Sequence, residues 1–218
     1  MEYTADGRQL VFATDSGVFS KNRVDFGSDL LIKSVIAEGV SGKVLDLGCG
    51  YGAVGISLYT HNPGIWLMMA DVNERAVDLC RRNAGMNIGS DMSGAGTDIT
   101  REDGSIDIIL SDGFTDIDGR YPDILQFDYI LLNPPVRAGK GVVFRLYAEC
   151  EEHLVAGGRL YVVIRKKQGM ESSFKELTRL FDKCSIIEKK SGYAVLCSVR
   201  KEEAGNNKPD RSKDLSNG

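Results

Sequence analysis

Residues 43 to 55, Lys-Val-Leu-Asp-Leu-Gly-Cys-Gly-Tyr-Gly-Ala-Val-Gly, set one acid, Asp46, and a ladder of glycines, Gly48, Gly50, Gly52 and Gly55, directly against a short apolar run. Glycine has no Cβ, so a loop of this kind lets backbone approach a ligand closely and take dihedrals that other residues avoid. Gly50 to Gly55 also satisfies G-x-G-x-x-G, which sets a pyrophosphate against a helix N-terminus. A carboxylate just upstream would repel a pyrophosphate, but it suits a ligand that carries an amino group and a sulfonium. A tight strand-to-helix turn with no ligand is the plain structural alternative. Three more polar residues, Asp71, Asp112 and Asn133, close predicted strands. Singly, each is an ordinary turn residue. Jointly they would ring the tips of a sheet, where open α/β folds bind their ligands.

The elements that must position these residues follow a strand-helix rhythm. Val44, Leu45 and Leu47 read as a buried parallel strand and Ala53 to Tyr59 as the helix after it. Further strands are expected at Leu10 to Ala13, Ile65 to Ala70, Ile106 to Leu110, Phe127 to Leu132 and Arg159 to Ile164. Asn133-Pro134-Pro135 ends the fourth of these, because proline cannot donate to a ladder. Helices are expected from an N-cap at Ser28 to about Glu38, with Gly39 ending it, and over Glu74 to Asn87, Val142 to Leu154 and Met170 to Phe181. Residues 88 to 105 and 113 to 126 read as irregular, and Gly17 to Ser28 as a polar loop. The last two strands, Ser185 to Glu188 and Tyr193 to Val199, are separated only by Lys189 to Gly192. That is too short for a parallel crossover, so they form a hairpin.

The motif D-x-G-x-G-x-G at Asp46 to Gly52 resembles the first motif of class I S-adenosyl-L-methionine methyltransferases. A parallel sheet closed by an antiparallel hairpin is similar to the same class. The resemblance implies an α/β fold, a Rossmann-like seven-stranded mostly parallel sheet with a C-terminal antiparallel hairpin and helices on both faces. It implies that Asp71 accepts from the ribose hydroxyls, and that Asp112 accepts from the adenine amino group with Gly113 beside it. Asp46, Gly48, Gly50 and Gly52 would take the methionine end, with Val72 and Leu110 bordering the adenine. Asn133-Pro134-Pro135-Val136 matches the N-P-P-(aromatic) motif of amino-group methyltransferases in three positions and departs at the fourth. A conjugated amine is a poor nucleophile until its lone pair is localised; the Asn133 oxygen and the Pro134 carbonyl can each accept one N–H, and Pro135 stiffens the turn. Asn133 also borders the cofactor in this reading. With Val136 in place of a ring, stacking on the acceptor would fall to Phe19, Phe26 or Phe144. Gly17 to Ser20 with Val24 to Ser28, and Val136-Arg137-Ala138-Gly139-Lys140, resemble a single-domain branch of the small-subunit ribosomal RNA guanine-N2 methyltransferases. The resemblance leads to the expectation that the N-terminal half carried by two-domain members has no counterpart in this sequence. Arg137 and Lys140, and Arg165, Lys166 and Lys167, would then grip RNA phosphates.

The 218 residues are expected to hold one methyltransferase domain over 1–200 and a polar, disordered tail over 201–218. With 27 basic against 31 acidic residues, the net charge of -4 excludes a polyanion binder of the histone kind, so any RNA contact is local. The scattered cysteines form no C-x-x-C pair or histidine cluster, so no metal site is expected and the thiols read as reduced and cytoplasmic. No leader or membrane span is expected. His61 and His153 read as surface residues. Three other functions remain open: a methyltransferase of protein glutamine or a small molecule, an NAD-dependent oxidoreductase, and a noncatalytic RNA-binding module.

Overall fold

Alternation along the Lys43–Leu47 strand sets the layers. Val44 packs with Leu131, Val163 and Val195 into one apolar cluster, while Leu45 and Leu47 pack with Ile130, Leu132 and Val162 into another. Successive side chains of a strand point to opposite faces, so a strand apolar on both faces must be covered twice. The computed structural model describes residues 1–15, 23–89, 104–121 and 125–202. Its seven-stranded sheet consists of β3 (Lys43–Leu47), β4 (Trp66–Asp71), β5 (Ile106–Leu110), β6 (Phe127–Leu132), β7 (Leu154–Arg165), β8 (Lys183–Lys190) and β9 (Tyr193–Val199). Their order is β5-β4-β3-β6-β7-β9-β8. The pairs are parallel except β7 with β9 and β8 with β9. This is the class I methyltransferase sheet with its antiparallel end.

Three helices, α1 (Phe26–Glu38), α2 (Ala53–His61) and α3 (Glu74–Ile88), contribute Leu31, Ile56 and Cys80 to the first cluster. On the opposite face α4 (Thr115–Arg120), α5 (Lys140–Glu152) and α6 (Met170–Leu180) contribute Ile117, Tyr147 and Leu177 to the second. Among the described residues no helix is long and apolar enough to cross a membrane.

The strand order reverses between β3 and β6, and the registers there align the tips. Leu47 pairs with Ala70 on one side and Leu132 on the other. The next residues, Gly48, Asp71 and Asn133, therefore emerge at one level along three neighbouring strands. That level is the carboxyl edge of the sheet, the ligand-binding edge of open α/β folds.

Several expectations change. The N-terminus forms a hairpin, β1 (Glu2–Ala5) with β2 (Arg8–Val11), rather than one strand at Leu10 to Ala13. Its two-residue turn, Asp6 and Gly7 at φ 42° and 79°, matches the right-handed twist of the strands it joins. Asn87 holds β2 by exchanging hydrogen bonds with the Val11 backbone. The N-cap of α1 is Asp25, whose carboxylate accepts from Gly27 and Ser28 N–H at 3.0 and 3.2 Å, so Ser28 lies inside the helix. The short helix α4 sits in the stretch expected to be irregular. His153 is buried rather than exposed: it stacks on Phe114 with centroids 3.9 Å apart, and its Nε2 lies 2.9 Å from Asp118 Oδ1. The expected loop at 17–20, most of 88–105 and most of the tail lie outside the described residues.

Candidate active site

The first side chain of the site is the only acid inside β3. Asp46 is 3% exposed, and its Oδ2 accepts the Gly55 N–H from the first turn of α2 at 2.8 Å. Burial pushes its carboxyl up to about 7, with the Gly55 N–H pulling the other way and the charge of Asp71 adding to the rise. Asp71 closes β4 and ties two loops together: Oδ2 accepts from Gly50 N–H and Oδ1 from Asn73 N–H, each at 2.8 Å. A carboxylate has about four lone-pair sites, so both oxygens retain capacity for a ligand hydroxyl.

The glycine loop between them divides into two kinds of position. Gly48 and Gly50 have φ of 70° and 58°, and a Cβ added at either would meet nothing within 4 Å. There the backbone conformation needs glycine and the space beyond belongs to the cavity. Gly52 and Gly55 face the protein instead. A Cβ at Gly52 would lie 2.6 Å from Ile56 and 2.8 Å from Cys80, and one at Gly55 would lie 2.7 Å from the Met69 sulfur. At Gly52 and Gly55 the close packing of Ile56, Cys80 and Met69 leaves no room for a side chain.

On the far side of the reversal, Asn133 Nδ2 donates to Ser28 Oγ at 3.1 Å. With the amide nitrogen so engaged, the group Asn133 can offer a donor is its oxygen. Pro135, at φ -74° and ψ 69°, forms an inverse γ-turn that proline's ring suits, in which Val136 N–H donates to the Pro134 carbonyl at 2.8 Å. One lone pair of that carbonyl remains.

Both halves open on one cavity of about 510 Å³, the size of a small-molecule site. Asp46, Gly48, Gly50 and Asp71 line one side, and Asn133, Pro134, Pro135, Val136 and Arg137 the other. Ser28, Tyr51, Gln168 and Tyr193, which the sequence reading does not assign to the pocket, also line it, as does Arg165. Composition held no signal for Tyr193 beyond an aromatic opening a strand at the carboxyl edge.

Other candidates are not brought to this cavity. Asp112 is exposed and paired with Arg145, whose Nη2 lies 2.7 Å from its Oδ1, and Arg145 also reaches Glu149 at 2.9 Å. A Cβ on Gly113 would collide with Glu149, so that glycine admits the Arg145–Glu149 pair. Val72 and Leu110 are exposed, and Leu110 lines a separate shallow depression with Arg81 and Arg120. Phe26 packs tilted on Tyr193 at 5.4 Å, Phe144 stacks on Tyr147 at 6.0 Å, and Lys140 opens α5 outside the cavity. Phe19 lies outside the described residues.

Comparison with known proteins gives a consistent family. The methyltransferase small domain family matches residues 9–197. The uncharacterized Bacillus subtilis protein YbxB is 43% identical over 87% of this chain and 85% of its own. A ribosomal RNA small subunit methyltransferase C from Salmonella arizonae is 34% identical over 74% of this chain, which spans 42% of that relative's length. A T. thermophilus 16S rRNA N2 methyltransferase, solved with AdoMet and guanosine, superposes with a TM-score of 0.74 over 92% of this chain and 50% of its own, at 23% identity. By family match, sheet order and strand-tip residues together, the chain belongs to the methyltransferase small domain family, within the class I S-adenosyl-L-methionine-dependent methyltransferases.

Proposed function

We propose that this protein transfers a methyl group to an exocyclic amino group, that of guanine N2 in small-subunit ribosomal RNA. The observation that carries the reading is the amide of Asn133, whose nitrogen is held by Ser28. Its oxygen is thereby kept for a donor, in the same cavity as the glycine loop.

The residues fit the methyl donor of the class. Asp46 would sit toward its cationic methionine end, the Gly48 and Gly50 backbone would run along it, and Asp71 would receive its ribose hydroxyls. Val72 and Leu110, exposed beside the Asp71–Leu110 pair, would border the adenine. Asp112 would need its free oxygen for the adenine amine, since Arg145 holds the other. S-adenosyl-L-methionine supplies, when bound, a methyl group on a positive sulfur.

The chain does the rest by positioning. Asn133 Oδ1 and the remaining lone pair of the Pro134 carbonyl each take one N–H of the acceptor amine. Two such bonds favour a tetrahedral nitrogen and aim its lone pair across the cavity. No strong base is needed, because the nitrogen becomes acidic once methylated and releases its proton to water. Arg137 and Arg165 line the acceptor side. Lys166 and Lys167 follow Arg165, and Lys166 N–H donates to Gly192 at the β8–β9 turn, next to Lys189 and Lys190. This cluster supplies local positive charge on a chain whose net charge is -4, as phosphate contacts require. The ribosomal acceptor is drawn from relatives named as ribosomal RNA methyltransferases.

Mass spectrometry of digested ribosomal RNA from cells with and without the protein tests the reading. Loss of N2-methylguanosine, restored by the wild type but not by Asn133→Ala, is expected. A protein that binds the donor yet leaves RNA methylation unchanged would overturn the RNA acceptor in favour of a protein amide or small molecule, which Val136 in place of a ring also fits.

A further inference from the structure

A flat heterocycle presented to Asn133 needs a face to lie against, and the N-P-P turn supplies only the aliphatic Val136. Two aromatic residues line the described cavity, Tyr51 and Tyr193. Tyr51 is 5% exposed and its ring meets Phe12 edge-on at 5.7 Å, so it belongs to the core. Tyr193 is half-buried at the start of β9.

The position of Tyr193 is tied to Asn133 through one turn of α1. Gly27 lies against its ring, where a Cβ would stand 3.2 Å from Cε1, and the next residue, Ser28, accepts the Asn133 amide. Phe26 supports the ring at 5.4 Å. Sheet register agrees. Leu132 pairs with Val162, so Asn133 stands level with Val163, and Tyr193 pairs with Arg165 two residues further out. The Arg165 guanidinium lies 5.7 Å over the Tyr193 ring, and its side chain is exposed. An exposed arginine on a flexible stem can leave the ring for a phosphate.

We propose that Tyr193 is the stacking platform for the acceptor base, with Arg165 beside it for the phosphate of the same nucleotide. This inference rests on the RNA reading above and names the residue that holds the base against Asn133. Base stacking on an aromatic face tolerates any base, so the ring contributes binding and orientation, while the Asn133 and Pro134 acceptors select the amine.

Steady-state methylation of ribosomal RNA lacking the modification, with donor affinity measured by calorimetry, tests it. Tyr193→Leu should raise the acceptor KM about tenfold or more, with donor Kd within about twofold. Tyr193→Phe keeps the ring and should stay within about threefold of wild type. Tyr193→Leu with Val136→Phe, which puts a ring elsewhere in the same cavity, should recover much of the loss. An unchanged acceptor KM in Tyr193→Leu, equal damage in Tyr193→Phe, or a parallel loss of donor affinity would overturn the platform. The wild type separates the two claims. If it methylates no RNA, the functional reading falls and this one with it; if it does and Tyr193→Leu matches it, only this one falls.

Discussion

Asn133 and Ser28 meet across the site through a 3.1 Å hydrogen bond between residues 105 apart in the chain, amide nitrogen donating to hydroxyl. In the proposed reaction the bond selects which end of the Asn133 amide is left for the acceptor. Ser28→Ala removes it without touching the α1 cap, which Asp25 makes to backbone. A net hydrogen bond is worth about 0.5–1.5 kcal/mol, so kcat should fall about 2- to 13-fold. Donor Kd should move less than about twofold, and denaturation midpoints only slightly. Single-turnover methyl transfer with calorimetry of donor binding measures both. An unaltered kcat would remove Ser28 from the positioning of Asn133.

In the proposed site Asp46 should make donor binding depend on pH. Its carboxyl is raised to about 7 by burial, with Gly55 N–H opposing and Asp71 adding. A cationic ligand favours the ionised form, so binding below neutrality must expel a proton. Affinity for S-adenosyl-L-methionine should fall about tenfold per pH unit between about pH 7 and 5.5, with proton uptake by buffer visible in calorimetry. The stability of the free protein runs the other way. Because the folded pKa lies above the ordinary 3.8, the folded state holds a proton that the unfolded chain releases. The stability this provides is complete below about pH 4 and is lost progressively as pH rises to about 7. Asp46→Asn should flatten both dependences, and a wild-type affinity constant across this range would refute the assignment.

Gly55 and Gly85 should respond oppositely to alanine. A Cβ at Gly55 would stand 2.7 Å from Met69 Sδ and 3.1 Å from Asp46 Oδ2, so the fully buried Met69 side chain must move within the core. Gly55→Ala should cost about 1–3 kcal/mol and weaken donor binding with it. Gly85 lies on the exposed face of α3 with nothing within 4 Å of an added Cβ. Gly85→Ala should stabilise by up to about 1 kcal/mol and leave donor affinity alone. Urea unfolding of both variants compares them; a neutral Gly55→Ala would show that the loop has slack the packing denies.

Much of the sheet was legible because punctuation coincided with apolar runs. Ile106–Leu110, Phe127–Leu132 and Tyr193–Val199 have the bounds read from sequence, each closed or opened by acid, proline or glycine turns. The Glu2–Ala5 strand was not, since its polar alternation buries one residue and depends on Asn87 and Asn83 of α3 to dock the hairpin. His153 was misread for a related reason: a histidine after a helix looks exposed until α4 folds over it.

Sequence by itself picked out the polar and glycine residues at the strand tips: Asp46, the glycines, Asp71 and Asn133-Pro134-Pro135 follow one another toward strand ends, a relation local to each segment. Tertiary structure alone decided which of them share a cavity and what supports them. Both Asp25 and Ser28 are capping types, and only the approach of β6 to α1 releases Ser28 from the cap to hold Asn133. Tyr193 and Asp112 show the same dependence. One enters the cavity because β9 pairs with β7, and the other turns to Arg145 on a helix 33 residues away, contacts that no local pattern encodes.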